Sequence, residues 1–235
     1  MDIPHQLRQV APEHAGPAAR VGRRPGTAGV AYTAAWVTGF AVWPINLDVR
    51  STDAAVLAAY RGHAVQAATQ ATLVHGVAAL ALSVVVVALA RAGRAGGGTR
   101  ASRVVLQAGL AAAGVSLIQW ALDLTLATMV APAGEAARAG ATLEAINRLD
   151  GLKLVLLAAL AAAGVTLARN AVLPRWLGVV ATLLAVVILG SGIGYLLLIP
   201  ALAALAYVSG PLLLVWVTGV GLRLGRQRRR QSAER

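Results

Sequence analysis

The chain has 235 residues, of which 58% are apolar and only 13% charged, and it contains no cysteine. A soluble domain usually carries about 25% charged residues, so this composition argues against one and favours a helical protein that crosses a membrane several times. The absence of cysteine excludes disulfides, thiolate metal sites and thiol redox chemistry.

The N-terminal residues 1–26 are polar, contain four prolines and show no apolar period. This composition predicts a disordered tail, because such a segment cannot bury enough apolar surface to offset the entropy lost on folding. Arg23 and Arg24 come just before the first apolar run and are interpreted as its positive flank.

Long apolar runs predict an all-α membrane domain over residues 27–224, followed by a basic tail at 225–235. Its six spans lie at about residues 27–47, 66–90, 104–130, 149–168, 176–193 and 205–222. The uncharged connection at 194–204 is compatible with a tight hairpin and with a kinked, partly re-entrant segment.

The positive charges predict the orientation of this six-helix bundle. Sixteen arginines lie in the two tails and in the connections 91–103 and 169–175, whereas the other connections hold four. Positive loops face the cytoplasm, so both termini are expected inside a bacterial plasma membrane. The net charge of +12 is therefore interpreted as a topology signal, with membrane lipids and not nucleic acid as partners.

A carboxylate stands inside the third predicted span, in the stretch "SLIQWALDLTLATMVAP". Asp123 shares one helix face with Gln119 and Ser116 at intervals of three or four residues. A charged group in hydrocarbon costs about 2.5–3.5 kcal/mol at a helix centre, so this face is predicted to point into the bundle.

Other polar residues are predicted at the same outer depth, whereas the inner halves of the spans contain few. The fourth span opens with "INRLDGLK", and the second begins with a stripe of His63, Gln66 and Gln70. Together they predict an outward-facing polar pocket. Its expected lining is Asp123, Lys153, Asp150, Asn147, Gln119, Trp43, His63 and Gln70.

Two interpretations of Asp123 stay open at this stage. Lys153 lies at a comparable depth on the next, antiparallel span, so an ion pair would make Asp123 architectural. Without that pair, Asp123 would mark a functional site. His63 and His75 are about 18 Å apart along a regular helix, too far to share an ion, so no metal site and no cofactor are predicted.

Two short motifs resemble those of an uncharacterised family of multi-pass membrane proteins from high-GC, actinobacterial-type bacteria. They are "LDGLK" at Leu149–Lys153 and "LPRWLG" at Leu173–Gly178, which open the fourth and fifth spans. The resemblance covers about residues 30–222. It implies the topology and no particular activity.

The pattern favours a protein that binds or senses a small or lipid-like ligand, or assists other proteins with one. The alternative is an integral-membrane cyclase or isomerase that uses Asp123 and Asp150 as acid and base on an isoprenoid or lipid. The chain is similar in size and apolarity to small membrane-embedded terpene cyclases, although it lacks their tryptophan-glutamate motif. A small proton-coupled transporter with Asp123 as the proton site is the second alternative.

Overall fold

The computed structural model describes residues 17–44 and 47–233, and all regular structure in these two ranges is helical. Eight helices follow one another in the described ranges. They are α1 Pro17–Val42, α2 Asp53–Tyr60, α3 Ala64–Ala95, α4 Thr99–Ala133, α5 Ala136–Arg169, α6 Arg175–Leu196, α7 Pro200–Ala203 and α8 Ala206–Ala233.

Five helical segments in the described ranges are long and apolar enough to cross a membrane. They are α3, α4, α5, α6 and the run Pro200–Gln227, which joins α7 to most of α8. The prediction of an all-α chain with several apolar helices is confirmed, and these helices indicate a membrane location. The first predicted span corresponds to α1, which ends at Val42 because Pro44 disfavours helical geometry in the residue before it.

The long helices form a closed ring. In order around the ring, α1 packs against α3, α3 against α4, α4 against α5, α5 against α6, α6 against α8, and α8 against α1. We call the end that carries α2 and α7 the α2 end. The opposite end carries the arginines of the 91–103 and 169–175 connections, and we call it the arginine end.

The half of the ring near the arginine end has a densely packed apolar core. Trp216, Leu89 and Leu167 are buried there with other aliphatic side chains. Small residues let α1 and α8 approach closely, as a Cβ added at Gly29 would lie 3.1 Å from the Val217 carbonyl oxygen. Small residues at helix contacts are typical of membrane proteins, where close packing drives association.

Several helices are longer than the sequence predicts. α1 already begins at Pro17 and so includes residues 17–26 of the predicted tail, while residues 1–16 lie outside the described ranges. Proline is well tolerated in the first turn of a helix. α8 continues into the basic tail as far as Ala233, since arginine and glutamine are good helix formers. α5 begins at Ala136, thirteen residues before the predicted span.

The connection between α6 and α8 is a tight hairpin that contains the single turn of α7. Ile199 N–H donates to the Gly194 carbonyl oxygen at 2.7 Å, which folds α7 back onto the end of α6. Gly194 is required there, because a Cβ would collide with the backbone of Ala203. Arg50 Nε donates to the Leu198 carbonyl oxygen at 2.9 Å and ties the chain after α1 to this hairpin.

Candidate functional site

A cavity of about 930 Å³ occupies the half of the ring near the α2 end. Residues of α1, α3, α5, α6 and α8 form most of its wall, and the wall is mainly apolar. The lining lies in the C-terminal halves of α1 and α6 and the N-terminal halves of α3, α5 and α8. The antiparallel order of the helices brings these halves to the same end.

The "LDGLK" motif contributes an ion pair to this wall. Lys153 Nζ lies 2.5 Å from Asp150 Oδ1, with 5% and 26% of the two side chains exposed. Gly151 faces α6, where a Cβ would lie only 2.6 Å from the Leu196 nitrogen. The glycine therefore permits close packing of α5 on α6, while its charged neighbours face the cavity.

This geometry corrects the predicted pairing of Lys153 with Asp123. Among the described residues, the ion pair of Lys153 is with Asp150 on the same helix. The physical reason is spacing, because residues three apart on a helix are neighbours, and their pairing requires no second helix at a matching height. In the described part of the chain, Lys153 and Asp123 therefore form no ion pair with each other.

Asp123 instead contacts an imidazole and a phenol. His75 Nε2 lies 3.4 Å from Asp123 Oδ2, and the two side chains are 12% and 13% exposed. Tyr60 Oη donates to Asp123 Oδ1 at 3.4 Å. Burial and the negative charge of Asp123 raise the pKa of the Tyr60 phenol well above its ordinary value, so this hydroxyl remains a donor.

His75 reaches this site through an irregular turn of α3. Residues Thr72–Val77 form a π-helical turn, and a second one, Leu126–Val130, begins three residues after Asp123. The sequence prediction left His75 out of the pocket because it assumed a regular α-helix, in which His75 is rotated away from the stripe that begins at His63. π-helical turns are rare and concentrate at functional sites, and composition gives no direct signal for them.

The charged groups of the wall act on one another. His75, Asp123, Asp150 and Lys153 are close enough for direct electrostatic interaction. Two carboxylates face one lysine, so the group is neutral only when His75 or Asp123 carries an additional proton. A buried charge without a counter-charge destabilises the folded protein. This favours a state in which His75 and Asp123 together hold one additional proton.

Gln119 and Asn147 support the charged groups from the side of α4 and α5. Gln119 is fully buried outside the lining, and its Nε2 donates to the Ile146 carbonyl oxygen at 3.2 Å. Its amide also interacts with the Asp150 carboxylate. Asn147, with 9% of its surface exposed, is part of the cavity wall one turn before Asp150.

Trp43 and Gln70 form the wall next to Tyr60. Gln70 Nε2 donates to the Trp43 carbonyl oxygen at 2.8 Å, which fixes the chain at the end of α1. The Trp43 ring packs edge-on against Tyr60 with 4.8 Å between centroids. In the described part of the chain, neither Trp43 Nε1 nor His75 Nδ1 has a hydrogen-bond partner, although both atoms are buried.

His63 lies away from the other predicted pocket residues. It is exposed and does not contribute to the cavity wall. The cause is a turn between α2 and α3, where Gly62 has a φ of +80°. His63 follows this turn as the N-cap of α3, and its φ of −116° and ψ of 22° are not helical, so its side chain does not continue the helical spacing of Gln70. The sequence-based prediction treated the segment as one helix and missed this break.

The aromatic residues of the chain are concentrated in this wall. Seven of the ten aromatic side chains line the cavity, including every tyrosine and the single phenylalanine. They are Tyr32, Trp36, Phe40, Trp43, Tyr60, Tyr195 and Tyr207.

No protein-family model matches the chain, and neither a curated protein nor a solved structure does.

Proposed function

We propose that the chain is a six-span helical bundle of the bacterial plasma membrane that binds a small or lipid-like ligand in an outward-facing cavity. α1 is the sixth span, and both termini are cytoplasmic. The excess of arginine at the arginine end supports this orientation.

The cavity carries this proposal. Ligand sites are typically concave, about 300–1,000 Å³ in volume, mainly apolar, and equipped with a few convergent polar groups. The 930 Å³ cavity has these properties, with Asp123, Asp150 and Lys153 in its wall. The densely packed apolar core towards the arginine end disfavours transport, because a transporter needs a polar path through both membrane halves.

An opening between α1 and α8 supports a ligand that comes from the bilayer. The two helices are joined near the arginine end, where Thr33 Oγ1 and Thr218 Oγ1 lie 2.7 Å apart. Towards the α2 end, Val37 and Phe40 of α1 and Tyr207 of α8 line the cavity and are still 57%, 50% and 68% exposed. Because these side chains belong to both the cavity and the outer surface, the gap would admit a lipid-like molecule sideways.

Unequal pairing of the two carboxylates favours a second candidate function, acid–base catalysis on an isoprenoid or lipid. Asp150 is held by Lys153, whereas Asp123 is held by His75 and Tyr60, neither of which is a permanent cation. Carboxyl groups in unlike environments can divide the roles of acid and base. His75 and Asp123 would hold the transferable proton, and Asp150 would remain charged.

Photolabelling tests the binding function. Protein purified in detergent is irradiated with a diazirine-tagged fatty alcohol, and the labelled peptides are mapped. We expect labelling of cavity residues, and Gly210→Phe should abolish it, since Gly210 lines the cavity and a Cβ there meets nothing within 4 Å. Gly114→Phe is the matched control, because Gly114 has equal free space outside the cavity. Equal labelling of both variants would contradict the proposal.

Deuterium exchange separates the enzyme from the binding protein. Incubation with farnesol in D₂O should introduce deuterium next to a double bond if His75 and Asp123 transfer protons to the ligand. Asp123→Asn should then stop the incorporation while the photolabelling persists. Photolabelling without any deuterium incorporation would leave binding as the function.

A further inference from the structure

We infer that the cavity selects a lipophilic cation, an organic amine or quaternary ammonium attached to an apolar body. This inference rests on the proposed ligand-binding function and names the chemical class of the ligand.

The sign of the charge in the cavity is opposite to that of the chain. The protein as a whole has a net charge of +12, with 21 basic and 9 acidic residues. The described ionisable side chains of the wall that set this sign are Asp48, Asp123, Asp150, Lys153 and His75, and with the one proton shared by His75 and Asp123 their net charge is still negative. A cavity with low-dielectric walls concentrates the field of its own charges, so this region attracts cations although the rest of the protein repels them.

The positive charge of Lys153 is already neutralised by Asp150. Lys153 Nζ is bound to Asp150, and its side chain is 95% buried. An anionic ligand would have to separate this ion pair and approach two carboxylates. A cationic ligand, by contrast, meets Asp123, whose contacts with Tyr60 and His75 leave it without a permanent positive partner. Charge compensation therefore favours a positive ligand over a negative one.

The aromatic wall provides a second, independent reason. All four tyrosines of the chain and two of its tryptophans line the cavity. Cations are attracted to the faces of aromatic rings by about 0.5–2 kcal/mol per contact, and quaternary ammonium groups are commonly bound in aromatic cages. Trp43 and Tyr60, packed edge-on at 4.8 Å, stand beside Asp123, so carboxylate and rings can act on the same head group.

The test compares two ions of nearly equal size and opposite charge. Tetraphenylphosphonium and tetraphenylborate are titrated calorimetrically into the full chain in detergent, with protein-free micelles as the reference. We expect saturable binding of the phosphonium and at least about tenfold weaker binding of the borate. Gly210→Phe should remove the phosphonium binding, which assigns it to the cavity.

Charge variants sharpen the comparison. Asp123→Asn keeps the side-chain shape and removes the charge, so it should weaken phosphonium binding about tenfold. Glu135→Gln is the control, since this exposed carboxylate pairs with Arg138 outside the cavity. Its phosphonium affinity should equal that of the unmodified protein.

The results that contradict the cation selectivity differ from those that contradict the proposed binding function. Borate binding as strong as phosphonium binding, or no phosphonium binding together with normal photolabelling, overturns the cation selectivity and leaves the proposed function intact. If neither the ions nor the photoreactive alcohol bind in the cavity, both the inference and the proposed function are wrong. Unchanged phosphonium affinity in Asp123→Asn also overturns the role assigned to that carboxylate.

Discussion

Lys153 Nζ lies 2.5 Å from Asp150 Oδ1, three residues earlier on the same helix. This pair leaves Asp123, on the neighbouring helix α4, to the imidazole of His75 and the phenol of Tyr60. The two intramembrane carboxylates therefore differ in role. One belongs to a helix-internal ion pair, and the other faces a cavity without a fixed positive partner.

Removal of Lys153 alone should be strongly destabilising. Lys153→Met leaves Asp150 charged, mostly buried and unpaired, and breaking such a pair costs about 3 kcal/mol or more. Lys153→Met combined with Asp150→Asn should regain most of that loss, because both charges are then absent. Thermal unfolding of the detergent-solubilised protein measures this. Losses in the double variant equal to the sum of the single variants would argue against the pair.

Asp123→Asn should be at least as stable as the unmodified protein without ligand. The amide can still bond to Tyr60 and His75, and it removes a buried charge that lacks a permanent counter-ion, a gain on the order of 1 kcal/mol. Functional residues often carry such a cost in stability. The same thermal unfolding assay applies. A large loss of stability would mean that Asp123 is architectural.

Gly151 should tolerate no side chain. In Gly151→Ala the new Cβ would lie 2.6 Å from the Leu196 nitrogen and 2.7 Å from the Gly192 carbonyl oxygen, so α5 and α6 must separate. Overpacking of this kind typically costs about 1–3 kcal/mol. Gly114→Ala, with nothing within 4 Å, is the control and should be neutral or slightly stabilising. Similar stability of the two variants would refute the close α5–α6 contact.

Tyr60 should remain protonated in strongly alkaline solution. Burial and the Asp123 charge raise its pKa above the ordinary value of about 10, so the folded protein binds this proton more tightly than the unfolded chain. Stability is thus unaffected by this group below about pH 10 and falls as the pH rises further. Absorbance at 295 nm checks this. Tyr60→Phe should leave the tyrosinate signal between about pH 9 and 11 unchanged, and a loss of signal there would contradict the buried position.

The sequence predicts the helical membrane architecture well, because hydrophobic periodicity and length report directly on spans. It also predicts that Asp123, Asp150, Lys153, Asn147, Trp43 and Gln70 belong to one region, and the structure places them around one cavity. This prediction depended on the position of each polar residue along its span, which places these residues at a similar depth in the membrane. The helix ends were less accurate, since polar helix formers extend α5 and α8 beyond the apolar runs.

The side-chain contacts within the site could not be predicted from the sequence in the same way. The rotation of His75 depends on the π-helical turn Thr72–Val77, and the position of His63 depends on the break at Gly62. Both are local backbone irregularities that shift every later side chain of the segment. A regular helical wheel therefore assigns His63 to the site and leaves out His75, the reverse of the observed arrangement.

Accessibility of introduced thiols tests the outward-facing cavity most directly, because the chain has no cysteine of its own. Ser209→Cys places a thiol in the cavity wall, where the serine is only 2% exposed. Ser83→Cys places one on α3 outside the cavity, nearer the arginine end. Intact cells are treated with the membrane-impermeant reagent trimethylammonium-ethyl methanethiosulfonate. We expect modification of Ser209→Cys and none of Ser83→Cys. Modification of Ser209→Cys only in inverted vesicles would contradict an outward-facing cavity.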